Sequence, residues 1–585
     1  MGYHILAIEE LGVDKAQVTF PCYFVVSTAP INIEDQSAID GADPHFHIEA
    51  ITQHLNQQGN AAEILVLIHG YNTGRDGVRN WYRNACEYIA QHYPNTPKGL
   101  VVLGYRWSSE QVTEDESGKF LDKRNYAKQS LPTLMDLIYR YALIGILVGL
   151  AGLILTIAIA LLKGGISFLV PLIFSLIFLF SLLAVSPIFT IFVLRLSVYF
   201  RDTYRANHYG VSDLVELIRQ LDNALVDLAP QETREQRQQF WESRRIRLSF
   251  IGHSMGGFVV TNAVRVLSDV FDQSSIGRLD LMGRKKLPSA KIGNVFSLGR
   301  LVLVAPDMTA EAVISGRANV LRSSLRRFEE AYLFCSEGDM ALRLASTTAN
   351  YFTFPAKTRD GGYRLGNMTV RDAIALDNIA RTGIANLNPE GRLVTEQQRP
   401  FLSYLHIRRS RSLLERQQEI TLSDNQKSIA ELFTYFDCTN YCELVANPKT
   451  GKLESVGVIT RALRKTRMNF WDYFWLTMDF FSGKLDPHGG YIFSPIADFS
   501  KQAIYGVACL GWSGFMTSLQ SEPEFEATLT LIQTQRPELT PRQQTLLAGM
   551  MMLHQVCDQR GIQVLVSPER YEVDIMGQIC DRTDY

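Results

Sequence analysis

The sequence predicts an α/β protein whose mostly parallel central sheet, flanked by helices, is interrupted by a membrane-crossing helical hairpin. Glu63–Ile68 and Gly99–Trp107 are short, continuous apolar runs of the kind that a parallel sheet buries on both faces. A helical pattern near Trp81–His92 separates them, and the order strand, helix, strand is typical of α/β folds. Two long uncharged segments follow, and they predict the hairpin.

The composition limits the class of protein. At 585 residues the chain is long enough for one large core with additions, or for two to three domains. Its 58 basic and 60 acidic residues give a net charge of -2, so we expect no nucleic-acid partner. The cysteines show no Cys-x-x-Cys spacing and are typical of buried free thiols in a reducing compartment. The first residues lack the basic and apolar regions of a signal peptide, so we do not expect secretion.

The first elements lead to a glycine-bearing loop. Residues 17–27 are typical of an opening strand, and a helix is predicted near Ile48–Asn56. The apolar run that starts at Glu63 ends in His69-Gly70-Tyr71-Asn72. A loop that directly follows a buried parallel strand lies at the edge of the sheet where ligands usually bind.

The predicted hairpin consists of two uncharged segments joined by Lys163-Gly-Gly165. Tyr141–Leu162 has about 22 residues and Ile166–Leu194 has about 29, and either is long enough as a helix to cross a hydrocarbon core of roughly 30 Å. The alternative is a buried helical hairpin of a soluble protein, although two such long uncharged runs rarely fit a soluble core. The spacing Gly145-x-x-x-Gly149 would let the two helices pack closely.

Basic residues accumulate outside both ends of the hairpin, whereas its turn offers only Lys163. By the positive-inside rule, the globular part and both termini are then expected to be cytoplasmic, in a multi-pass protein with two membrane helices. The residues on which this expectation depends are Lys119, Lys123, Arg124, Lys128, Arg140, Arg195, Arg201 and Arg205.

The strongest chemical signal is a sharp turn between a strand and a helix within Arg247–Val260. Gly252, Ser254 and Gly256 give a Gly-x-Ser-x-Gly spacing, in which the glycines let strand and helix approach while the serine hydroxyl points outward. The N-terminus of the following helix would aim N–H groups and a positive dipole at the serine. Ser254 is therefore the predicted nucleophile.

A nucleophilic serine needs a base, and the base needs a carboxylate that fixes its tautomer. Asp339 follows the predicted strand Glu330–Cys335 and is the preferred acid. Asp307, at the end of the predicted strand Arg300–Asp307, is the alternative acid. Loop aspartates are also commonly helix caps, and that interpretation stays open for both.

Three histidines downstream of the acid are candidates for the base. His488 lies in the turn-rich Leu485–Tyr491 segment, after the predicted strand Leu432–Asp437, and is preferred. His406 lies among arginines, which would lower its basicity, and His554 falls on the apolar stretch of a predicted helix. His253 is expected to be structural, because neighbouring residues on such a turn point in different directions.

An oxyanion hole needs two N–H donors. The backbone of Met255, directly after the nucleophile, is expected to provide the first. The second is expected from the loop after His69-Gly70, from the backbone of Tyr71 or Asn72.

Together these motifs resemble the α/β-hydrolase superfamily, and in particular a bacterial group of uncharacterised serine hydrolases with a His-Gly-Tyr/Phe-Asn motif. The motifs are Ile68-His-Gly-Tyr-Asn72, the Gly-His-Ser-Met-Gly-Gly turn, Asp339 in its loop, Phe436–Tyr441 and the His488-Gly-Gly-Tyr segment. The resemblance covers about residues 15–135 and 200–495, without 350–430. It implies an α/β-hydrolase fold with Ser254, Asp339 and His488 as the catalytic triad, and it does not fix a substrate.

The chain divides into six predicted segments. The hairpin, the insertion and the C-terminal part lie outside the resemblance, so the resemblance does not predict the substrate specificity that they contribute. The insertion carries the basic run His406–Arg411, interpreted as a solvated helix face or, alternatively, as an anion site. The aromatic stretch 468–483 and the apolar stretch 503–519 either pack on the sheet or lie at a membrane interface. The segments are 1–139 and 197–349 (hydrolase core), 140–196 (transmembrane hairpin), 350–430 (insertion or lid), 431–498 (end of the core with His488) and 499–585 (C-terminal helical extension).

From the sequence we expect a membrane-anchored serine hydrolase that cleaves acyl esters, with lipids as the expected substrates, because an active site tethered to a bilayer meets amphiphiles at a high effective concentration. The same triad would serve a thioesterase, an acyltransferase or a lipase-type effector gated by the insertion. The alternative from a different class is a catalytically silent membrane scaffold on a hydrolase fold. We expect the bilayer as a partner and no cofactor, because the sequence has no nucleotide loop or zinc cluster. The sequence leaves the oligomeric state open.

Overall fold

The structure is a computed structural model of the chain. It divides into two compact units, one formed by residues 1–109 and 205–585 and the other by residues 110–204. The residues described are 5–29, 44–109, 133–163, 167–196, 199–268, 290–313, 324–325, 327–353, 363–371, 381–395, 397–408, 411–415, 429–447, 451–461 and 463–575.

The strands and helices alternate over much of the larger unit, as α/β folds require. The strands are β1 Leu6–Glu10, β2 Cys22–Ser27, β3 Ala62–Ile68, β4 Gly99–Arg106, β5 Ile246–His253, β6 Lys291–Ile292, β7 Phe296–Val304, β8 Glu330–Cys335, β9 Thr369–Val370, β10 Gly383–Ile384, β11 Leu405–Arg408, β12 Arg411–Ser412, β13 Phe433–Asp437, β14 Cys442–Ala446, β15 Leu453–Gly457 and β16 Gln563–Leu565. The helices are α1 His45–Gln58, α2 Arg75–His92, α3 Thr133–Lys163, α4 Leu169–Leu196, α5 Tyr199–Arg205, α6 Val211–Leu228, α7 Arg234–Glu242, α8 Met255–Leu267, α9 Thr347–Thr353, α10 Phe470–Phe481, α11 Gly490–Phe493, α12 Asp498–Ser518, α13 Phe525–Gln535, α14 Pro541–Gln559 and α15 Pro568–Asp574.

The central sheet has the strand order β1-β2-β4-β3-β5-β7-β8-β13-β16-β10, with β6 paired to β7. From β2 to β13 all neighbours are parallel, whereas β1 and β16 run antiparallel to their partners β2 and β13. Strands β3 and β4 are buried along their whole length because helices cover both faces, which explains their continuous apolar sequence. The mostly parallel sheet predicted from the sequence is confirmed, and β5 lies near its middle.

The C-terminal segment, predicted as a helical extension, is mostly helical and packs into the core of the larger unit. Trp512 and Phe515 of α12 are fully buried. The indole of Trp81 on α2 donates to the Tyr505 hydroxyl of α12 at 3.1 Å, which ties the two helices together. The apolar stretch 503–519 therefore packs in the core. Strand β16 of the same segment lies between β13 and β10.

The insertion also contributes to the sheet. Strand β10, from the predicted insertion 350–430, pairs with β16 in parallel and forms the described edge on that side. The basic run His406–Arg411 was interpreted as a helix face, and that interpretation is wrong: Leu405–Arg408 is a strand that pairs with β9. Alternation explains the difference, because Leu405 and Ile407 are buried while His406 between them is only partly buried. Much of the insertion lies outside the described residues.

The smaller unit contains the two predicted apolar helices. Within α3 and α4, Leu137–Leu162 and Leu169–Ser186 are long and apolar enough to cross a membrane, judged by length and composition only. Glycines of α3 lie against α4, because an added Cβ on Gly149 would be 2.8 Å from the Phe178 backbone. Gly145 lies similarly close to Ser181 and Gly152 to Phe174. The close packing predicted from the glycine spacing is therefore present.

The helical run that includes α5 and α6 contains one irregular turn. A turn of π-helix at Ala206–Gly210 separates α5 from α6. At this turn Gly210 lies against Trp107, and the Tyr105 hydroxyl donates to the Gly210 carbonyl at 2.8 Å. Contacts with the end of β4 therefore fix the irregular turn, which is a tertiary cause that helical periodicity does not show.

Candidate active site

Ser254 lies at the apex of a tight turn between β5 and α8. Its φ of 54° and ψ of -122° are unusual for a residue with a side chain. Close packing enforces them: an added Cβ on Gly256 would lie 2.4 Å from the Ile68 carbonyl oxygen, and one on Gly252 would lie 2.8 Å from Gly257. The Ser254 N–H donates to the Val304 carbonyl at 2.9 Å, which anchors the turn to β7. The predicted strand–turn–helix is present, and its glycines have the predicted role.

The structure brings Ser254, His488 and Asp339 together. The Ser254 hydroxyl Oγ is 2.8 Å from Nε2 of His488, and Nδ1 of His488 is 2.7 Å from Oδ2 of Asp339. This is the order nucleophile, base and carboxylate, with each ring nitrogen engaged by the correct partner. The Ser254 and Asp339 side chains are buried, and that of His488 is 12% exposed.

The carboxylates around His488 stabilise the protonated form of its imidazole. Burial by itself lowers the pKa of His488, but the charge and hydrogen bond of Asp339, together with the charges of Asp486 and Asp307, outweigh burial, so that the pKa is raised above its usual value. Burial raises the pKa of Asp339, and the imidazole partly offsets this effect. An imidazole with a raised pKa is a stronger base towards the serine hydroxyl.

Two residues, Asp486 and His253, fix the loop that carries His488, and Asp486 was not among the residues singled out from the sequence. Oδ1 of Asp486 accepts the N–H groups of His488 and Gly489 at 3.1 and 2.8 Å. Nε2 of His253 lies 3.3 Å from the His488 carbonyl, to which it donates. Burial, together with the charge of His488, lowers the pKa of His253 to about 3, so that this ring is neutral and structural, as expected. The signal for Asp486 was present in the Asp-Pro-His-Gly turn.

The loop that carries Asp339, called the acid loop below, is held by several hydrogen bonds. Oδ1 of Asp339 accepts the Leu342 N–H at 3.0 Å, and the Asn367 side chain donates to the Asp339 carbonyl at 3.1 Å. Two residues before Asp339, the carboxylate of Glu337 is bound by Arg371 at 2.9 Å and by the Tyr473 hydroxyl at 2.5 Å. These contacts orient the carboxylate towards His488 rather than towards solvent.

The predicted oxyanion donors flank the nucleophile. Met255 occupies the first position of α8, where a backbone N–H has no acceptor within the helix. The loop of Tyr71 and Asn72 passes over Ser254, because an added Cβ on Gly70 would lie 3.3 Å from Ser254 Oγ. Asn72 has a φ of 54°, a conformation that asparagine tolerates. The ring of Tyr71 lies 6.4 Å from that of His488.

A buried network positions this loop. Nδ1 of His69 lies 2.6 Å from the Gly70 carbonyl, and the ring of His69 stacks on Trp107 at 5.1 Å. The His69 N–H donates to the Tyr82 hydroxyl at 3.0 Å. Burial, with the charge of Arg106, lowers the pKa of His69 to about 3, so that the imidazole stays neutral. His69 is therefore a rigid support for the loop.

Residues 237–385 match the family described as alpha/beta hydrolase of unknown function (DUF900). The match includes Ser254 and Asp339 but ends before His488. The chain has an α/β-hydrolase fold. Searches of curated proteins and of solved structures return no match.

The alternative acid of this hydrolase fold lies close to the nucleophile but has other partners. Asp307 donates its N–H to the Ser254 carbonyl at 3.1 Å, and its carboxylate Oδ1 pairs with Nε of Arg364 at 2.9 Å. Ser346 donates a hydrogen bond to the same oxygen. Asp339, not Asp307, is the carboxylate that contacts His488.

The other candidate bases are engaged away from Ser254. Burial, together with the charge of Arg371, lowers the pKa of His406 on β11 to about 4, which agrees with its expected low basicity. His554 lies on α14, where its Nδ1 accepts the Ile384 N–H at 2.9 Å and fixes β10. His554 is therefore structural.

Among the described residues, the structure has no group of three or more His, Cys, Asp or Glu side chains that could hold a metal ion. The described cysteines Cys22, Cys86, Cys335, Cys438, Cys442, Cys509 and Cys557 are buried free thiols. Cys580 lies outside the described residues.

Proposed function

We propose that this protein is a membrane-attached serine hydrolase that cleaves acyl esters of lipids. The observation that carries the proposal is the continuous Ser254–His488–Asp339 hydrogen-bonded chain. In the proposed reaction, His488 takes the hydroxyl proton as Ser254 attacks the ester carbonyl, and then passes it to the leaving alkoxide. In the second half His488 takes a proton from the water that attacks the acyl-enzyme, and it returns that proton to Ser254 Oγ as the acyl–Oγ bond breaks, which releases the fatty acid.

Two N–H groups would stabilise the oxyanion of each tetrahedral intermediate. We assign one to Met255, whose position at the N-terminus of α8 adds the helix dipole. We assign the second to the backbone of Tyr71 or Asn72, on the loop that crosses the nucleophile. These assignments require the carbonyl to lie between α8 and that loop.

The scaffold hypothesis would be favoured by a site in which the base and the nucleophile are not in contact. A scaffold is free to lose the contact between base and nucleophile, whereas here the distance from His488 to Ser254 is 2.8 Å. The strained backbone of Ser254 also argues for catalysis, since such strain costs on the order of 1–3 kcal/mol and persists mainly at functional sites.

Membrane attachment is supported by the two apolar helices α3 and α4 and by basic residues outside them. Of those basic residues, Arg205 is buried in the hydrolase unit and donates to the Ser108 carbonyl, so its position has a structural reason as well. Lys119, Lys123, Arg124 and Lys128 lie outside the described residues. The cytoplasmic orientation of the catalytic unit and both termini remains part of the proposal.

Labelling with a fluorophosphonate probe tests the activated nucleophile. Wild-type protein in native membranes is expected to be labelled, and Ser254→Ala is expected to lose all labelling. Labelling of both proteins, or of neither with or without detergent, would reject the hydrolase proposal and favour the scaffold. Release of fatty acid from a phospholipid, compared with release from an acyl thioester, then separates a lipid esterase from a thioesterase.

A further inference from the structure

Helix α10 (Phe470–Phe481) exposes a row of large apolar side chains. At 3.6 residues per turn, these side chains occupy one arc of about 140° around the helix. Their exposed fractions are 69% for Phe470, 62% for Trp471, 42% for Phe474, 49% for Trp475 and 51% for Met478.

The opposite face of α10 packs against the hydrolase unit and binds it through polar side chains. Leu476 is buried with Met340 and Met468 in a small apolar cluster. Asp479 forms a two-pronged ion pair with Arg461, at 2.5 and 2.8 Å, and the Tyr473 hydroxyl binds Glu337. An Asn469–Asp472 capping box closes the N-terminus of the helix. The helix is therefore firmly placed, and its aromatic face is directed outward by its own anchoring contacts.

The chemistry of this face fits a lipid surface. Tryptophan has an apolar body and an N–H group, and it is enriched where a bilayer meets water. The flanking charges are mostly positive: residues 461–484 contain five basic side chains (Arg461, Arg464, Lys465, Arg467, Lys484) and two acidic ones (Asp472, Asp479). Basic side chains beside an apolar face favour anionic headgroups. A continuous apolar patch on a protein surface commonly marks such a contact.

We propose that α10 is a membrane-docking helix, whose aromatic face inserts into the headgroup region of an anionic bilayer. The inference rests on the proposed membrane attachment, because α3 and α4 would keep the helix at a high local concentration near the same bilayer. It does not depend on catalysis.

The position of α10 connects docking to the active site. Leu476 lies against the acid loop, since an added Cβ on Gly338 would be 3.1 Å from Leu476 Cδ2. The loop that follows α10 carries His488. Docking would therefore fix the Asp339 and His488 loops beside the lipid surface, which is where an acyl-ester substrate resides.

The tryptophans of this chain provide a direct probe. Of its 6 tryptophans, Trp471 and Trp475 are exposed on α10, whereas Trp81, Trp107, Trp241 and Trp512 are buried. None lies within α3 or α4. Quenching by lipids with brominated acyl chains therefore reports on α10.

The full-length protein is reconstituted into phosphatidylcholine vesicles that contain phosphatidylglycerol, with or without brominated chains, and purified by flotation. We expect brominated lipid to quench the fluorescence, and Trp471→Phe with Trp475→Phe to remove most of this quenching. Phe474→Asp with Met478→Asp, in the middle of the face, should also reduce quenching and expose both tryptophans to iodide. Phe46→Asp, at a position 73% exposed on α1, is the matched control and should leave the quenching unchanged.

Flotation separates the two proposals. A protein that does not float overturns both the membrane attachment and the docking helix. A protein that floats but is not quenched overturns the docking helix alone. In that case, shielding from iodide would indicate that protein covers α10, and accessibility to iodide would indicate that water does.

Discussion

Asp307 and Arg364 form a buried ion pair of 2.9 Å beside the nucleophile. The pair explains why Asp307 is not the acid of the proposed triad, although it follows the strand next to β5 and binds the Ser254 carbonyl through its N–H. Its carboxylate pairs with an arginine that is itself buried, and breaking a buried ion pair is strongly destabilising. The two aspartates at neighbouring strand ends therefore have different roles. Asp307 pairs with the buried Arg364, and Asp339 contacts His488.

Replacing Asp339 or Asp307 with asparagine should show which of them serves catalysis and which serves stability. Asp339→Asn is expected to lower kcat by a factor on the order of 10⁴, because the amide favours the wrong histidine tautomer. Asp307→Asn should instead lower stability by about 3–5 kcal/mol, because it breaks a buried ion pair. Ester hydrolysis and thermal unfolding are measured on both. Loss of activity in folded Asp307→Asn, with Asp339→Asn fully active, would reverse the assignment.

The pH dependence of kcat/KM should report the His488 environment. His488 works as a base only when neutral, so activity rises as the pH increases through its pKa. That pKa is raised above the usual 6.5. The midpoint of the acid limb is therefore expected above pH 6.5.

Asp486→Asn provides the control for this pH profile. Asparagine retains the oxygen that accepts the His488 and Gly489 N–H groups, but it removes a charge that raises the His488 pKa. The midpoint should therefore move to lower pH while the loop is retained. A midpoint that stays in place would show that Asp486 acts only through the turn.

Much of the nucleophile region was predictable from the sequence because its constraints are local. The glycines around Ser254 act within a few residues, and the apolar runs of β3 and β4 reflect burial on both faces. The choice between Asp339 and Asp307 was less certain, since it depends on Arg364, which is distant in the chain. Nothing near Asp307 in the sequence indicates that partner.

The structure differs most from the sequence-based predictions where segments distant in the chain pair or pack together. Strand β10 has two residues and becomes a strand only because β16 offers it an edge. The basic run at His406 has too few alternating residues to distinguish a strand from a helix. The sequence of α10 left burial undecided, because large apolar or aromatic side chains occur on its inner face (Tyr473, Leu476) as well as on its outer face, and only the packing on Glu337 and Gly338 distinguishes them.

Gly70 should be intolerant of a side chain. An added Cβ would lie 2.8 Å from Ser254 Cβ and 3.2 Å from His253 Nδ1, so Gly70→Ala must displace the nucleophile or the loop above it. We expect fluorophosphonate labelling to fall at least about tenfold, since misplacement by about 1 Å can cost on the order of 10²-fold in rate. Gly77→Ala on α2, where the nearest atom would be 4.0 Å away, is the matched control and should label normally. Equal labelling of both variants would contradict the close approach of this loop.

The buried Glu63–Arg300 pair should be essential to the fold. Nη1 of Arg300 binds Glu63 at 2.6 Å and also donates to the carbonyls of Ala508 and Cys509 on α12. Arg300→Met is expected to cost about 3–5 kcal/mol of unfolding free energy, because it leaves a buried carboxylate. Arg247→Met removes the more exposed partner of the same Glu63, 3.5 Å away, and should cost less than about 1 kcal/mol. Chemical denaturation of the two variants measures the difference, and equal losses would contradict the special role of the Glu63–Arg300 pair.

Finally, the hydrolase unit should fold without residues 110–204. The chain ends on either side of this segment are close, because Nη1 of Arg205 lies 3.4 Å from the Ser108 carbonyl and Tyr105 binds Gly210. A linker of about five residues, each spanning up to about 3.3–3.6 Å, is long enough to join Ser109 to Arg205. The shortened protein should unfold in one cooperative transition and be extracted from membranes by alkaline carbonate, whereas the full chain should resist extraction. If the shortened protein also resists carbonate, α3 and α4 are not the main anchor; if it aggregates without a transition, the unit needs its hairpin to fold.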